Sequence, residues 1–161
     1  MATIYISLGS NINREKNVKQ GIEALTKAFG TLTLSSLFES KAVGFSGAAF
    51  YNMVIGIETN KNIEQVTTTL REIEFANGRS FDAKKFSPRT LDLDLLLFDD
   101  LICEHPAQLP RAEITTNAFV LWPLSQVAPN LLHPILNKSY HELWQNYDKK
   151  SQQLAIIEPC W

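Results

Sequence analysis

The sequence predicts an α+β domain, a mostly antiparallel sheet with helices on its faces, and three observations carry that prediction. Apolar residues alternate with period two in several short stretches, as they do in strands with one buried face. Two other stretches repeat at steps of three and four, the spacing of an amphipathic helix. The resulting order, strand-helix-strand-strand-helix by residue 78, is that of an α+β fold. At 161 residues, 45% of them hydrophobic, the chain is expected to form a single domain over residues 1–161, because cores split only above roughly 250 residues.

The first strand is read from Ala2, Ile4, Ile6 and Leu8, with a turn expected at Gly9-Ser10-Asn11. Val18, Ile22, Leu25 and Phe29 then mark a helix that stops at Gly30. Thr31 to Phe38 reads as a second strand, followed by a Gly- and Ala-rich loop, SKAVGFSGAAF, and a third strand over Tyr51, Met53, Ile55 and Ile57. Asn62 with Gln65 three residues on resembles a capping box ahead of a helix carrying Ile63, Val66, Leu70 and Ile73 and ending at Asn77-Gly78. RSFDAKKFSPR is polar and aperiodic, hence a loop, and it runs into TLDLDLLLFDD, the most apolar strand of the chain. Short helices around Asn117 to Gln126 and Ser139 to Tyr147, and a last strand in LAIIE, complete the expectation.

Charge excludes several function classes. Fifteen basic and seventeen acidic side chains leave a net charge of −2, so there is no broad positive field for nucleic acid or anionic lipid. No stretch approaches the roughly 18 apolar residues of a membrane span, and MATIYISLGS has no charged leader, so a cytoplasmic, soluble protein is expected. The cysteines, Cys103 and Cys160, form no C-x-x-C and are read as reduced thiols.

Chemistry concentrates around one pair. Residues two apart on a strand share a face, so Asp92 and Asp94 project together, roughly 7 Å apart, while Leu91, Leu93, Leu95 and Leu97 are expected on the opposite face. Two such carboxylates either face solvent at an edge or hold a divalent cation. Oxygen donors without nearby His or Cys favour Mg²⁺. Arg79, Lys84, Lys85 and Arg89 crowd the preceding loop, and carboxylates for a metal beside several cations suit a polyphosphate. Neither G-x-x-x-x-G-K-[ST] nor G-x-G-x-x-G is present, so a nucleotide is not held in those ways. Phe50 and Asn52 alternate onto one face of the third strand, a flat ring for stacking and an amide able to donate and accept.

FSPRTLDLDLLLF resembles the signature of the 6-hydroxymethyl-7,8-dihydropterin pyrophosphokinases of the folate pathway. YISLGSN, the VGF loop followed by FYN, IEFANGR, and FVLWPL with its following Ala-Pro resemble that family in order and spacing over the whole chain. The resemblance implies a ferredoxin-like αβα sandwich with a mostly antiparallel central sheet. It implies transfer of pyrophosphate from ATP to 6-hydroxymethyl-7,8-dihydropterin by attack at the β-phosphorus, with release of AMP. By the same resemblance Asp92 and Asp94 ligate two Mg²⁺ ions, and Arg79 and Arg89 contact the triphosphate and act in catalysis. Glu74, Lys85 and Arg111 fall on the ATP side. Phe50 and Phe119 sandwich the pterin, Asn52 reads its edge, and the backbone near Ser40 and Val43 helps. ATP and the pterin are the expected partners, with no nucleic acid or membrane, and the protein is expected to be a monomer.

Departures from the family pattern gather on the nucleotide side. Ser87 stands for Gly or Ala, Phe86 for Trp, and Phe81 for a loop arginine. Arg111-Ala112 replaces a His-Tyr pair, and Asn117 replaces an arginine. They leave open an alternative, a pterin- and metal-binding paralogue with weak or no transfer activity.

Overall fold

The computed structural model describes residues 1–40, 49–77, 91–149 and 154–157. In chain order the elements are β1 (Ala2–Ser10), α1 (Arg14–Phe29), β2 (Leu32–Leu34), β3 (Leu37–Ser40), β4 (Phe50–Thr59) and α2 (Ile63–Ala76). β5 (Asp92–Phe98), a 3₁₀ turn (Ala112–Thr115), α3 (Ala118–Val127), α4 (Tyr140–Gln145) and β6 (Leu154–Ile157) follow. The strands form one sheet in the order β5-β1-β4-β3-β6, with β2 also on β4, and each of these pairings is antiparallel. The predicted α+β class with a mainly antiparallel sheet is therefore the observed one.

Local chemistry explains most boundaries. α1 ends where Gly30 takes φ 93° and its amide donates to the Thr26 carbonyl. At α2, the Asn62 side chain accepts from the Gln65 amide at 2.8 Å and the Gln65 side chain accepts from the Asn62 amide at 2.9 Å, the reciprocal cap expected from the sequence. The single strand expected over Thr31 to Phe38 is instead two, β2 and β3. Leu34 pairs with Ile55 and Phe38 with Asn52, so four steps on one side oppose three on the other, and the extra residue breaks the ladder at Ser35-Ser36. The Ser35 hydroxyl patches the break by accepting from the Val54 amide at 2.9 Å.

Two cores lie on opposite faces of the sheet. Under α1 and α2, Ile4, Ile6, Leu8, Met53, Ile55, Ile57, Leu93 and Leu95 meet Val18, Leu25, Val66 and Leu70. Under α3 and α4, Val54, Leu96 and Leu97 meet Val120, Leu121, Leu124 and Tyr140. Leu97 thus sits on the face opposite to the one expected from strict alternation. The register of β5 against β1 shifts between Leu95 and Leu97, so Leu96 is a bulge residue and both Leu96 and Leu97 enter the second core. Among the described residues no helix is long and apolar enough to cross a membrane.

Candidate active site

The site is built on the α3 face of the sheet, at the end where β1 finishes. Side chains opposite one another in antiparallel strands share a face. Asp92 lies opposite Gly9, Gly9 opposite Asn52, and Asn52 opposite Phe38, so one row crosses four strands. The next row holds Asp94, Ser7 and Val54. The expected projection of Asp92 and Asp94 to one face is observed, and both carboxylates are half-buried.

Gly9 is the residue that sequence reasoning missed. A turn was expected there, but β1 runs on to Ser10 and places Gly9 between the carboxylate pair and the Asn52 amide. A Cβ at Gly9 would come 3.1 Å from Asn52 Oδ1 and 3.7 Å from the Phe50 ring. The bare α-carbon therefore leaves open the surface over which that amide and that ring lie. The signal was available in the unbroken alternation from Ala2 to Leu8, which the dipeptide Gly-Ser outweighed.

Asn52 is buried, while Phe50 is half-buried at the start of β4. Phe119, in the first turn of α3, is half-buried against the second core and so belongs to the same side of the sheet as Phe50 and Asn52. The Ser40 backbone is the β3 partner of Phe50. At the β3 end of this row Phe38 packs on Trp122 with ring centroids 4.7 Å apart, and Trp122 stacks on Trp144.

Glu74 is not an exposed helix carboxylate. It is 7% exposed, and its Oε2 accepts from the Leu93 amide at 2.9 Å, so the last turn of α2 grips β5 between the two aspartates. Arg111 is carried to β5 by its amide, which donates to the Leu96 carbonyl at 3.1 Å. Its guanidinium Nη2 lies 3.3 Å from Asp94 Oδ1 while Nε lies 3.1 Å from Glu113 Oε2. A cation is thus already drawn to the carboxylate that sequence reasoning gave to a metal. Arg79, Lys85, Arg89 and Val43 lie outside the described residues, as do Phe81, Phe86 and Ser87.

The donor set fits Mg²⁺. Two carboxylates stand side by side on a half-buried face, and Asp94 draws the Arg111 guanidinium to 3.3 Å. A pair of carboxylates is the donor set that Mg²⁺ commonly takes from protein, with water and phosphate oxygens completing its shell, and Asp92 and Asp94 are the residues that would hold it. Deeper in the second core the Tyr140 hydroxyl is buried without a hydrogen-bond partner among the described residues, and burial pushes its pKa up. Burial also raises Tyr5, with the nearby Glu58 carboxylate adding to the effect.

Comparison with known proteins identifies the family of the chain. A sequence model of 7,8-dihydro-6-hydroxymethylpterin-pyrophosphokinase matches residues 5–129. The 2-amino-4-hydroxy-6-hydroxymethyldihydropteridine pyrophosphokinase of Aquifex aeolicus is 32% identical over 145 residues, covering 88% of this chain and 90% of its own. That of Bacillus subtilis is 37% identical over 134 residues, covering 76% of each. The folic acid synthesis protein fol1 of Pneumocystis carinii is 36% identical over 160 residues, 91% of this chain but 21% of that much longer protein. Among solved structures, Plasmodium falciparum HPPK-DHPS with pteroate superposes with a TM-score of 0.73 at 13% identity, over 92% of this chain and 43% of that one, a likeness of fold. The chain belongs to the 7,8-dihydro-6-hydroxymethylpterin-pyrophosphokinase family.

Proposed function

We propose how this chain, a pyrophosphokinase of the folate pathway, carries out its reaction: Asp92 and Asp94 hold the metal that accompanies ATP, and Phe50, Asn52 and Phe119 hold the pterin beside them. The reaction moves pyrophosphate from ATP to 6-hydroxymethyl-7,8-dihydropterin. The hydroxymethyl oxygen attacks the β-phosphorus and gives up its proton to solvent, the bond from that phosphorus to the oxygen bridging it to the α-phosphorus breaks, and AMP leaves with that oxygen and the electron pair. The observation that carries the assignment is the row Asp92–Gly9–Asn52, which sets a carboxylate for metal and an amide for a heterocycle two strands apart on one face.

Each residue has a physical task. Bound to Asp92 and Asp94, two Mg²⁺ ions would neutralise phosphate charge and organise the triphosphate. The aspartates supply the anionic oxygens and Glu74 fixes their strand from behind. Asn52 donates to and accepts from the pterin edge, assisted by backbone at Ser40 and Val43, and the Phe50 and Phe119 rings stack on its faces. Arg79, Lys85, Arg89 and Arg111 bind the triphosphate, with Arg79 and Arg89 stabilising charge that grows on the transferred group. Catalysis of this kind is positioning and charge stabilisation, without a covalent nucleophile. The enzyme acts as a monomer in the cytoplasm.

The test is AMP release from MgATP and 6-hydroxymethyl-7,8-dihydropterin. Stoichiometric AMP and pterin diphosphate are expected, and a chain that binds pterin yet releases no AMP would make it a binding paralogue. Asp92→Ala and Asp94→Ala should each lower turnover by more than about a hundredfold, since even outer-shell partners of a metal contribute 10–100-fold. Their thermal midpoints should hold, because both side chains point away from the core formed by Leu93 and Leu95.

A further inference from the structure

Arg14, at the start of α1, lies on the face of the sheet opposite the candidate site, yet three contacts tie it to the strands that present the pterin residues. Its Nη1 is 2.8 Å from Glu39 Oε2 on β3 and donates to the Ala49 carbonyl at 3.0 Å, just ahead of β4. Its guanidinium carbon stands 4.0 Å from the centre of the Tyr51 ring. Glu39 pairs with Tyr51, and the next rung is Ser40 with Phe50, the last of the β3–β4 ladder. One guanidinium therefore joins the end of β3 to the start of β4 from behind. Phe50 is flanked on both sides by residues it holds, Ala49 and Tyr51.

We infer that Arg14 is a positioning residue for pterin binding, a clamp that fixes the Ser40–Phe50 rung, and with it the stacking ring, from the opposite face of the sheet. The inference rests on the pterin assignment above. The Ser40–Phe50 rung is the last of the β3–β4 ladder, so along the strands it has a neighbouring rung on one side only, although β6 braces Ser40 laterally through Leu154. Arg14 adds a restraint at that end, with charge-assisted hydrogen bonds to Glu39 on β3 and to the Ala49 carbonyl just ahead of β4, and a planar cation over the Tyr51 ring of β4. A Lys can reach one of the two acceptors but lacks the planar fork, so Arg14→Lys should restore part of the effect. Arg14 also borders an open hollow of about 570 Å³ with Asn13, Glu15, Lys16 and Tyr51, so trimming its side chain does not empty a sealed core.

The experiment saturates the chain with Mg²⁺ and the α,β-methylene analogue of ATP and titrates 6-hydroxymethyl-7,8-dihydropterin by its fluorescence. The nucleotide analogue is titrated separately. In Arg14→Ala the pterin Kd should rise about tenfold, the worth of about one charge-assisted hydrogen bond, while the analogue Kd stays within about twofold. Arg14→Lys should fall between wild type and Arg14→Ala. Unchanged pterin affinity in Arg14→Ala, or equal weakening of both ligands, would overturn the inference while leaving the pterin assignment standing. A wild-type chain that binds no pterin would overturn the assignment itself.

Discussion

Side-chain direction on a strand depends on parity alone, and the five residues Leu91 to Leu95 alternate without a break, so the shared face of Asp92 and Asp94 was legible in the sequence. Gly9 was not, because a glycine inside a strand and a glycine in a turn look alike until the partner strands are known. Its value lies in what it lacks. Gly9→Ala would set a methyl against Asn52 Oδ1, so pterin affinity should fall by about tenfold with metal binding unchanged, as separate pterin and Mn²⁺ titrations would reveal. Arg111 was recognised as a cation, but its dual partnership with Asp94 and Glu113 needed the folded chain. Both partners are partly exposed, so the pair contributes at most about 1 kcal/mol and releases the guanidinium easily. Arg111→Ala should therefore weaken MgATP binding by about 1.5–3 kcal/mol, the worth of a hydrogen bond to a charged group, and leave pterin binding unchanged. Calorimetric titration of each ligand separates the two.

At the scale of the element, helices with chemical punctuation were read well and irregular pieces were not. Asn62 and Gln65 announce α2 by a mechanism local to four residues, whereas the break between β2 and β3 follows from register against β4, which no local rule contains. The 3₁₀ turn at Ala112–Thr115 was unforeseen for a similar reason, since the bond from the Arg111 amide to the Leu96 carbonyl that leads into it is long-range. The connection from α3 to α4 hides another such device. His133 is buried, and its Nδ1 accepts from the Ile135 and Leu136 amides, each at 3.2 Å. Burial holds its pKa below the ordinary 6.5, so the folded chain resists a proton that the unfolded chain accepts. The stability this imidazole contributes is complete above about pH 6.5 and falls as the pH drops through the folded value. Urea denaturation at pH 7.5 and pH 5 should show that loss in wild type, and a shallower one in His133→Gln.

The molecule as a whole divides its labour across the sheet, with α1, α2 and the larger core on one side and the site on the other. That division was foreseen in outline, because alternating strands and amphipathic helices admit few other arrangements. The closing role of β6 was only half foreseen: LAIIE was read as a strand without a partner. It pairs with β3 from Leu37↔Ile157 to Ser40↔Leu154 and so covers the edge that supports Phe38 and Ser40. A chain ended at Lys149 would lose two half-buried apolar side chains, Leu154 and Ile157, worth together about 2 kcal/mol. Its thermal midpoint should fall by about 5 °C, and pterin affinity should fall with it while MgATP affinity holds. Scanning calorimetry with the two titrations checks both.

The bulge in β5 has a consequence for how this gene tolerates change in length. Residues 95 to 97 are three leucines in a row, so loss of any one codon among them yields the same chain, DLDLLF. Removing a residue from a strand ordinarily reverses the alternation beyond the gap and turns every later side chain inside out. Here the shortened strand would match β1 residue for residue, with the aspartates still opposite Gly9 and Ser7 and the final phenylalanine still opposite Ile4. The end of the strand that carries the aspartates is insulated from the deletion, and the burden falls on the second core, which gives up one leucine. Such a lineage would keep its chemistry and trade away thermal tolerance.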